Sequence, residues 1–294
     1  MIRFAVTASA QRVSRAALDR ASPAGMTIKL DAPTLQPRQI GAVNWLGLWT
    51  LYKKEVRRFL KVTFQTVAVP VSMSLLYMLL FAVVFGSRRA AVDGVPYIEF
   101  LAPGLVLMGV LNNAFANSSS SILVSKVQGN AVDFLMPPLS AAELAAGFIL
   151  GAATRGLAVG LATLLVLVWF IDMRPDHLWA IAYFGVSASL MLGMLGVIGG
   201  IWAEKFDHIA VVTFFITPLT FLSGTFYSVT VLPEPFETLS HYNPFFYMID
   251  GFRYGFTGHA DGNVLIGAGV VLVINVVLMT TCYLILKSGW RLKS

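Results

Sequence analysis

The sequence predicts an all-α integral membrane fold with six transmembrane helices, an N-terminal interfacial amphipathic helix and a re-entrant hairpin between the fifth and sixth spans. Two observations carry most of that prediction. Of 294 residues, 57% are hydrophobic and only 12% charged, against about 25% charged in a soluble domain, so polar surface is too scarce to cover a globule in water. The mean hydropathy is +0.74. Six apolar runs each reach the roughly 20 residues needed to cross a bilayer, and their connections are too short to hold a large soluble domain.

Residues 1–40 place Arg3, Arg12, Arg15 and Arg20 among Ala and Ser. The apolar stretch before Ala8-Ser9-Ala10 is too short for a signal-peptide core, so a disordered cytoplasmic tail is expected, with Met26 a candidate alternative start. Residues 41–61 read as a connecting helix. Trp45, Leu48, Trp49, Tyr52, Val56, Phe59 and Leu60 recur at helical spacing, and Lys53, Lys54, Arg57, Arg58 and Lys61 fill the remainder. That pattern describes a helix lying on the inner leaflet, serving as an anchor or as a lever towards a cytoplasmic partner.

The transmembrane domain is expected over 62–294, with spans at 64–85, 100–124, 145–171, 178–203, 209–229 and 264–286. Region 230–262 is too rich in polar residues, Pro and Gly for a full span, yet it holds Phe236, Tyr242, Phe245, Phe246, Tyr247, Phe252, Tyr254 and Phe256. It reads as a re-entrant element. Under this topology sixteen basic and seven acidic residues fall on the side of the termini, against four basic and eight acidic on the other. The excess of Lys and Arg predicts that both termini are cytoplasmic. The net charge of +6 then follows from membrane topology, and no basic domain or recognition motif points to nucleic acid.

Within the spans, polarity marks a few positions. Asn113, Asn117 and Ser121 follow i, i+4, i+8 in span two and so share one face, which should not meet lipid. That face reads either as interhelical hydrogen bonding or as the wall of a substrate path. Span three carries Gly147, Gly151, Gly156 and Gly160 at spacings suited to close helix packing. Arg155 is the one ionisable side chain well inside a run, placed to reach the interface, a carbonyl or a lipid headgroup. No carboxylate lies in mid-membrane, where an ion-driven carrier uses one. The loop 125–142 is the longest cytoplasmic connection, and Val132, Asp133, Phe134, Leu135 and Met136 form a short amphipathic stretch in it.

Catalytic patterns are missing from the chain: there is no phosphate loop, no H-E-x-x-H and no G-x-S-x-G. His177, His208, His241 and His259 fall on different loops, so no metal site is expected, and the single Cys282 excludes an internal disulfide.

Taken in order, several stretches resemble the permease of a type-2 ATP-binding-cassette (ABC) exporter, of the subgroup that includes nodulation-oligosaccharide and drug exporters. Val132-Asp133-Phe134-Leu135-Met136-Pro137-Pro138 is similar to the family's acid-x-Leu-x-x-Pro coupling segment. Thr154-Arg155-Gly156-Leu157 resembles its third span, and Phe221-Leu222-Ser223-Gly224-Thr225-Phe226-Tyr227 the end of its fifth. His241-Tyr242-Asn243-Pro244 with Gly251-Phe252-Arg253-Tyr254 looks like its Asn-Pro elbow and downstream arginine. Lys126-Val127-Gln128-Gly129-Asn130 departs from the more charged run of many relatives.

The resemblance implies a half-transporter in a bacterial inner membrane. The chain itself would be no enzyme and bind no cofactor; ATP and Mg would sit on a separate cassette ATPase, present in two copies, beside a second permease copy, most simply a homodimer. It implies ATPase coupling at Asp133, Phe134, Leu135 and Pro138, and a pathway lined by Asn113, Asn117, Ser121, Phe215, Thr217 and Phe221. Structural or gating roles would fall to Arg155, Asn243, Pro244 and Arg253. A lipid-processing membrane enzyme and a passive channel are the competing readings.

Overall fold

The computed structural model describes residues 41–85, 91–92 and 94–291. The tail expected over residues 1–40 lies outside the described residues, as do Arg88, Arg89, Asp93 and Lys293 of the charge count.

Helix α1 (Trp45–Leu60) starts at Asn44, whose Oδ1 accepts from the Gly47 N–H at 2.9 Å. Arg57 and Arg58 occupy its last turn, where cations oppose the negative end of the helix dipole. Leu51, Glu55 and Phe59, one turn apart, face inward, while Trp45, Trp49 and Leu60 stay exposed. A π-helical turn, Phe64–Ala68, leads into α2 (Val69–Phe85). Pro70 has no N–H to give the carbonyl four residues back, and the wider pairing of the π turn accommodates that loss. A hairpin of two-residue strands follows, β1 (Ala91–Val92) against β2 (Val95–Pro96), with Ala91 opposite Pro96. This small strand pair departs from the all-α expectation.

Helix α3 (Tyr97–Val127) is the centre of the fold. Its 31 residues rise about 47 Å at 1.5 Å each, and it packs mainly on α5 (Ala141–Leu167) and α6 (Leu178–Trp202). Small residues permit the approach: a Cβ on Gly156 would lie 2.8 Å from the Val110 carbonyl oxygen. Ser118 donates across the contact with α6 to the Gly193 carbonyl at 2.7 Å. The second run is polar because neighbouring helices, and not lipid, surround it.

A short helix, α4 (Val132–Leu135), lies in the loop after α3. A capping box opens α5: Ser140 Oγ accepts from the Glu143 N–H, and Glu143 Oε2 accepts from the Ser140 N–H at 2.7 Å. The last carbonyls of α6 receive cations, as Lys126 Nζ donates to Ile201 and Ala203 at 2.6 and 2.7 Å, and Arg291 donates to Trp202.

Helix α7 (Phe206–Leu222) corrects the expected bounds of span five. The apolar run continues to residue 229, but the helix stops at Leu222 because Gly224 turns the chain at φ 77°, and the Ser223 and Thr225 hydroxyls both donate to the Thr220 carbonyl. Its 17 residues rise about 25 Å, short of the ~30 Å hydrocarbon core. Among the described residues five other helical segments are long and apolar enough to cross a membrane: Phe64–Val84, Tyr97–Val127, Ala141–Leu167, Leu178–Trp202 and Val264–Ser288.

After α7 the chain makes a 3-10 turn (Val229–Val231), then α8 (Phe236–His241), α9 (Pro244–Thr257) and α10 (Val264–Ser288). Helix α9 is buried on most sides, with Phe245, Ile249, Phe252 and Phe256 in one core cluster with Phe184 and Met191 of α6. Phe236 and Tyr242 remain exposed. Helices α2, α7 and α10 present apolar side chains outward, among them Leu76, Leu79, Phe214, Phe215, Leu272 and Val276.

Candidate functional site

The predicted polar face of α3 meets charged side chains from two other helices. Arg155 of α5 donates from Nη2 to Asn113 Oδ1 at 3.2 Å. Arg58 of α1 donates to Asn117 Oδ1 at 3.1 Å and to the Asn117 carbonyl at 2.6 Å, and from Nη1 to Ser120 Oγ at 3.1 Å. Ser121 donates to Glu55 Oε1 at 2.7 Å, and Glu55 Oε2 lies 3.2 Å from Arg58 Nη2. Three rungs one turn apart thus tie α3 to α1 and α5.

The glycines of α5 make this possible. A Cβ on Gly151 would lie 2.6 Å from the Glu55 Cβ, and Gly147 stands against Leu51 in the same way. The pair Gly147 and Gly151 therefore seats α1, whereas Gly156 and Gly160 seat α3 at Val110. Tyr52 and Thr154 add a hydroxyl pair at 3.1 Å.

Glu55 is 0% exposed and Arg58 about a third exposed, so this is a largely buried ion pair. The cluster sets two guanidiniums against one carboxylate. Among the described residues Arg58 Nε, Arg155 Nε and Asn117 Nδ2 have no hydrogen-bond acceptor and Glu55 Oε2 has no donor; a buried orphan group costs about 1–3 kcal/mol. The sequence singles out Arg155 and the α3 face, whereas Arg58 reads as one basic residue of an amphipathic helix and Glu55 is not distinguished from the other acids. The available signal was the Leu51, Glu55, Phe59 spacing, which matches the turn-by-turn spacing of Gly147 and Gly151.

In the loop 125–142, Phe134 points inward, edge-on to Phe148 with ring centroids 5.4 Å apart, in a cluster with Leu51 and Leu144. Asp133 and Met136 point outward. Leu135 is half-buried, and Pro138 is exposed with its carbonyl accepting from Asn44 Nδ2 at 3.1 Å. The Asn44 N–H donates to Glu143 Oε1 at 2.5 Å. The loop is thus tied to the start of α1 and to α5, and the exposed Met136 joins Asp133 on its outer surface. Neither Asn44 nor Glu143 stood out as a site residue in the sequence.

The three predicted α7 residues do not share one face. Phe215 is exposed. Thr217 lines an open apolar groove of about 660 Å³ with Phe214 and Pro218, and Phe221 stacks on Phe226 at 4.9 Å. Helix α7 barely touches α3, so these residues and the Asn113, Asn117, Ser121 face do not meet within one chain.

At the other end of α3, Asn243 caps α9, accepting from the Phe245 N–H at 3.1 Å and donating to the Leu219 carbonyl at 2.7 Å. Pro244 occupies the first helical position, where a missing N–H is harmless. Arg253 is 2% exposed. It donates from Nε to the Phe100 carbonyl at 3.1 Å and from Nη2 to the Gly224 carbonyl at 2.6 Å, with its guanidinium carbon 3.7 Å from the Phe100 ring centre. Asp250 accepts from the Asp261 and Gly262 N–H groups at 2.8 and 2.9 Å. These contacts bind α9 to the start of α3, the end of α7 and the entry to α10.

Residues 47–257 match the ABC-2 type transporter family. The chain is 37% identical over 252 residues to the inner membrane transport permease YadH of Escherichia coli K12, covering 85% of this chain and 98% of that protein. It is 25% identical over 239 residues to nodulation protein J of Sinorhizobium fredii, covering 79% and 88% of the two chains. For nodulation protein J of Rhizobium leguminosarum bv. viciae the figures are 25% over 245 residues, 81% and 91%.

Proposed function

The chain belongs to the ABC-2 type transporter family, and on that premise we propose that it is the membrane-spanning permease of an exporter, driven by ATP hydrolysed on a separate subunit. The cargo is an amphipathic, drug-like or lipid-linked saccharide molecule carried out of the cytoplasm. The observation that carries the reading is the build of α4: Phe134 anchors it in the core while Asp133 and Met136 project outward. Such a surface, tied to α1 through Asn44 and to α5 through Glu143, suits a docking point whose displacement moves helices. ATP and Mg belong to the partner in this reading, in keeping with a sequence that carries no phosphate-loop pattern.

In this reading α7 is the fifth of six spans despite its length, and α8 with α9 form the re-entrant hairpin before the last span. Both termini face the cytoplasm, α1 lies on the inner leaflet with Trp45 and Trp49 towards lipid, and the location is a bacterial inner membrane. Two copies, each with one ATPase, enclose the route. Docking of the ATPases shifts α4 and with it α1 and α5, which frees Asn113, Asn117 and Ser121 to line the route opposite Phe215, Thr217 and Phe221 of α7. Arg253, Asn243 and Pro244 hold the outer end.

The test is the ATPase activity of the assembled complex. Met136→Asp and Asp133→Lys are expected to lower turnover about tenfold or more, the cost of losing one well-packed interface residue, with the permease still folded. Turnover insensitive to both substitutions would remove the coupling assignment.

A further inference from the structure

The ladder between α1, α3 and α5 holds more than helix contacts require. Arg58 Nε, Arg155 Nε and Asn117 Nδ2 are N–H donors with no acceptor among the described residues, and Asn117 is 0% exposed, so its amide cannot turn to bulk water. The Arg58 and Arg155 guanidiniums are held one helical turn apart, on Asn117 and Asn113, where like charges repel. The carboxylate beside them, Glu55, accepts from Ser121 at Oε1 and pairs with Arg58 at 3.2 Å through Oε2; Oε2 accepts no hydrogen bond among the described residues, and its single charge faces two guanidiniums. A water molecule would accept hydrogen bonds but leave the positive surplus untouched; an anion answers both. Guanidinium forks match the oxygens of a phosphate in spacing and in charge. The way in lies along α1: Arg58 is about a third exposed, and Lys54, Arg57 and Lys61, at helical spacing around it, are exposed and draw anions towards it.

We infer that the Arg58, Arg155 and Asn117 cluster binds a phosphate-bearing anion, whose oxygens take the orphan donors and whose charge offsets the second guanidinium. The phosphate comes from an anionic lipid headgroup or from free phosphate. The inference does not rest on the transport reading, and either can fail alone.

The full chain is placed in nanodiscs holding equal phosphatidylglycerol and phosphatidylcholine, extracted into a neutral detergent, and its retained lipids are counted by native mass spectrometry. A parallel arm measures the unfolding midpoint with and without millimolar inorganic phosphate. Wild type is expected to retain phosphatidylglycerol in preference to phosphatidylcholine, and the preference to fall about fivefold for each guanidinium removed in Arg58→Gln and Arg155→Gln. Lys53→Gln, which removes an exposed charge from the same helix, leaves it unchanged. Asn117→Asp keeps the side-chain shape, brings an acid to the site and is expected to abolish the preference; it decides the matter if an arginine variant fails to fold. No lipid preference, but stabilisation by phosphate that Asn117→Asp removes, identifies free phosphate as the source. Lipid retention and phosphate response both unchanged in Asn117→Asp, or lost equally in Lys53→Gln, would overturn the inference.

Discussion

Glu55→Ala is expected to loosen α1 from the bundle and lower the thermal unfolding midpoint of the purified chain. The carboxylate is fully buried and paired with Arg58 and Ser121. Removing it leaves Arg58 and Arg155, held on adjacent turns of α3 at Asn117 and Asn113, without the protein carboxylate that offsets them. Breaking a fully buried pair by deleting one partner costs about 3–5 kcal/mol. Arg58 keeps a third of its side chain in reach of solvent, so about 2–3 kcal/mol is the appropriate figure here. For a domain of this size that lowers the midpoint by about 4–12 °C, read by intrinsic fluorescence in detergent. Glu55→Ala/Arg58→Ala should recover part of the loss, because the uncompensated charge goes with it. A midpoint within about 1 °C of wild type would mean that the ladder contributes nothing to seating α1.

Arg253→Leu should have the larger effect at the opposite end. The Gly224 carbonyl loses its donor, the Phe100 carbonyl loses the bond it takes in addition to its place in the α3 helix, and Asp250 loses the cation beside it. One orphaned acceptor, the second bond and the lost ring contact together cost about 3–5 kcal/mol. Lysine restores the charge but has no fork to reach both carbonyls, so Arg253→Lys should fall between wild type and leucine. Limited proteolysis provides the local readout: cleavage within residues 223–243 is expected to accelerate in Arg253→Leu before the rest of the chain unfolds. Unchanged cleavage there would remove the pinning role.

How far these features are legible in the sequence depends on how local their cause is. The cores of α3, α6 and α10 follow from apolar runs, because hydropathy is a property of the run itself. The end of α7 does not, because Phe226, Val229 and Val231 keep the run apolar past the turn that Gly224 makes. The i, i+4, i+8 spacing exposes the Asn113, Asn117, Ser121 face, since helical geometry alone places those residues together. Their partners are hidden: Arg155 is 42 residues from Asn113 and Glu55 is 66 from Ser121, and only tertiary packing brings them together. Glu55 is misleading by itself, as a carboxylate among lysines and arginines reads as surface until the glycine pair on α5 is set against it. The buried state of α9 is concealed in the same way, because Asp250 and Arg253 lower its hydropathy while satisfying contacts made by distant loops.

The central claim, that a separate ATPase seats on the outer surface of α4, is tested most directly by photo-crosslinking. A benzophenone is attached at Met136→Cys, in a chain whose buried Cys282 is replaced by serine, and irradiated in native membranes before the adduct is identified by mass spectrometry. The adduct predicted is with a chain that carries a phosphate-loop sequence. A probe that labels only lipid or this chain itself, under conditions that keep known transporter complexes assembled, would contradict the account.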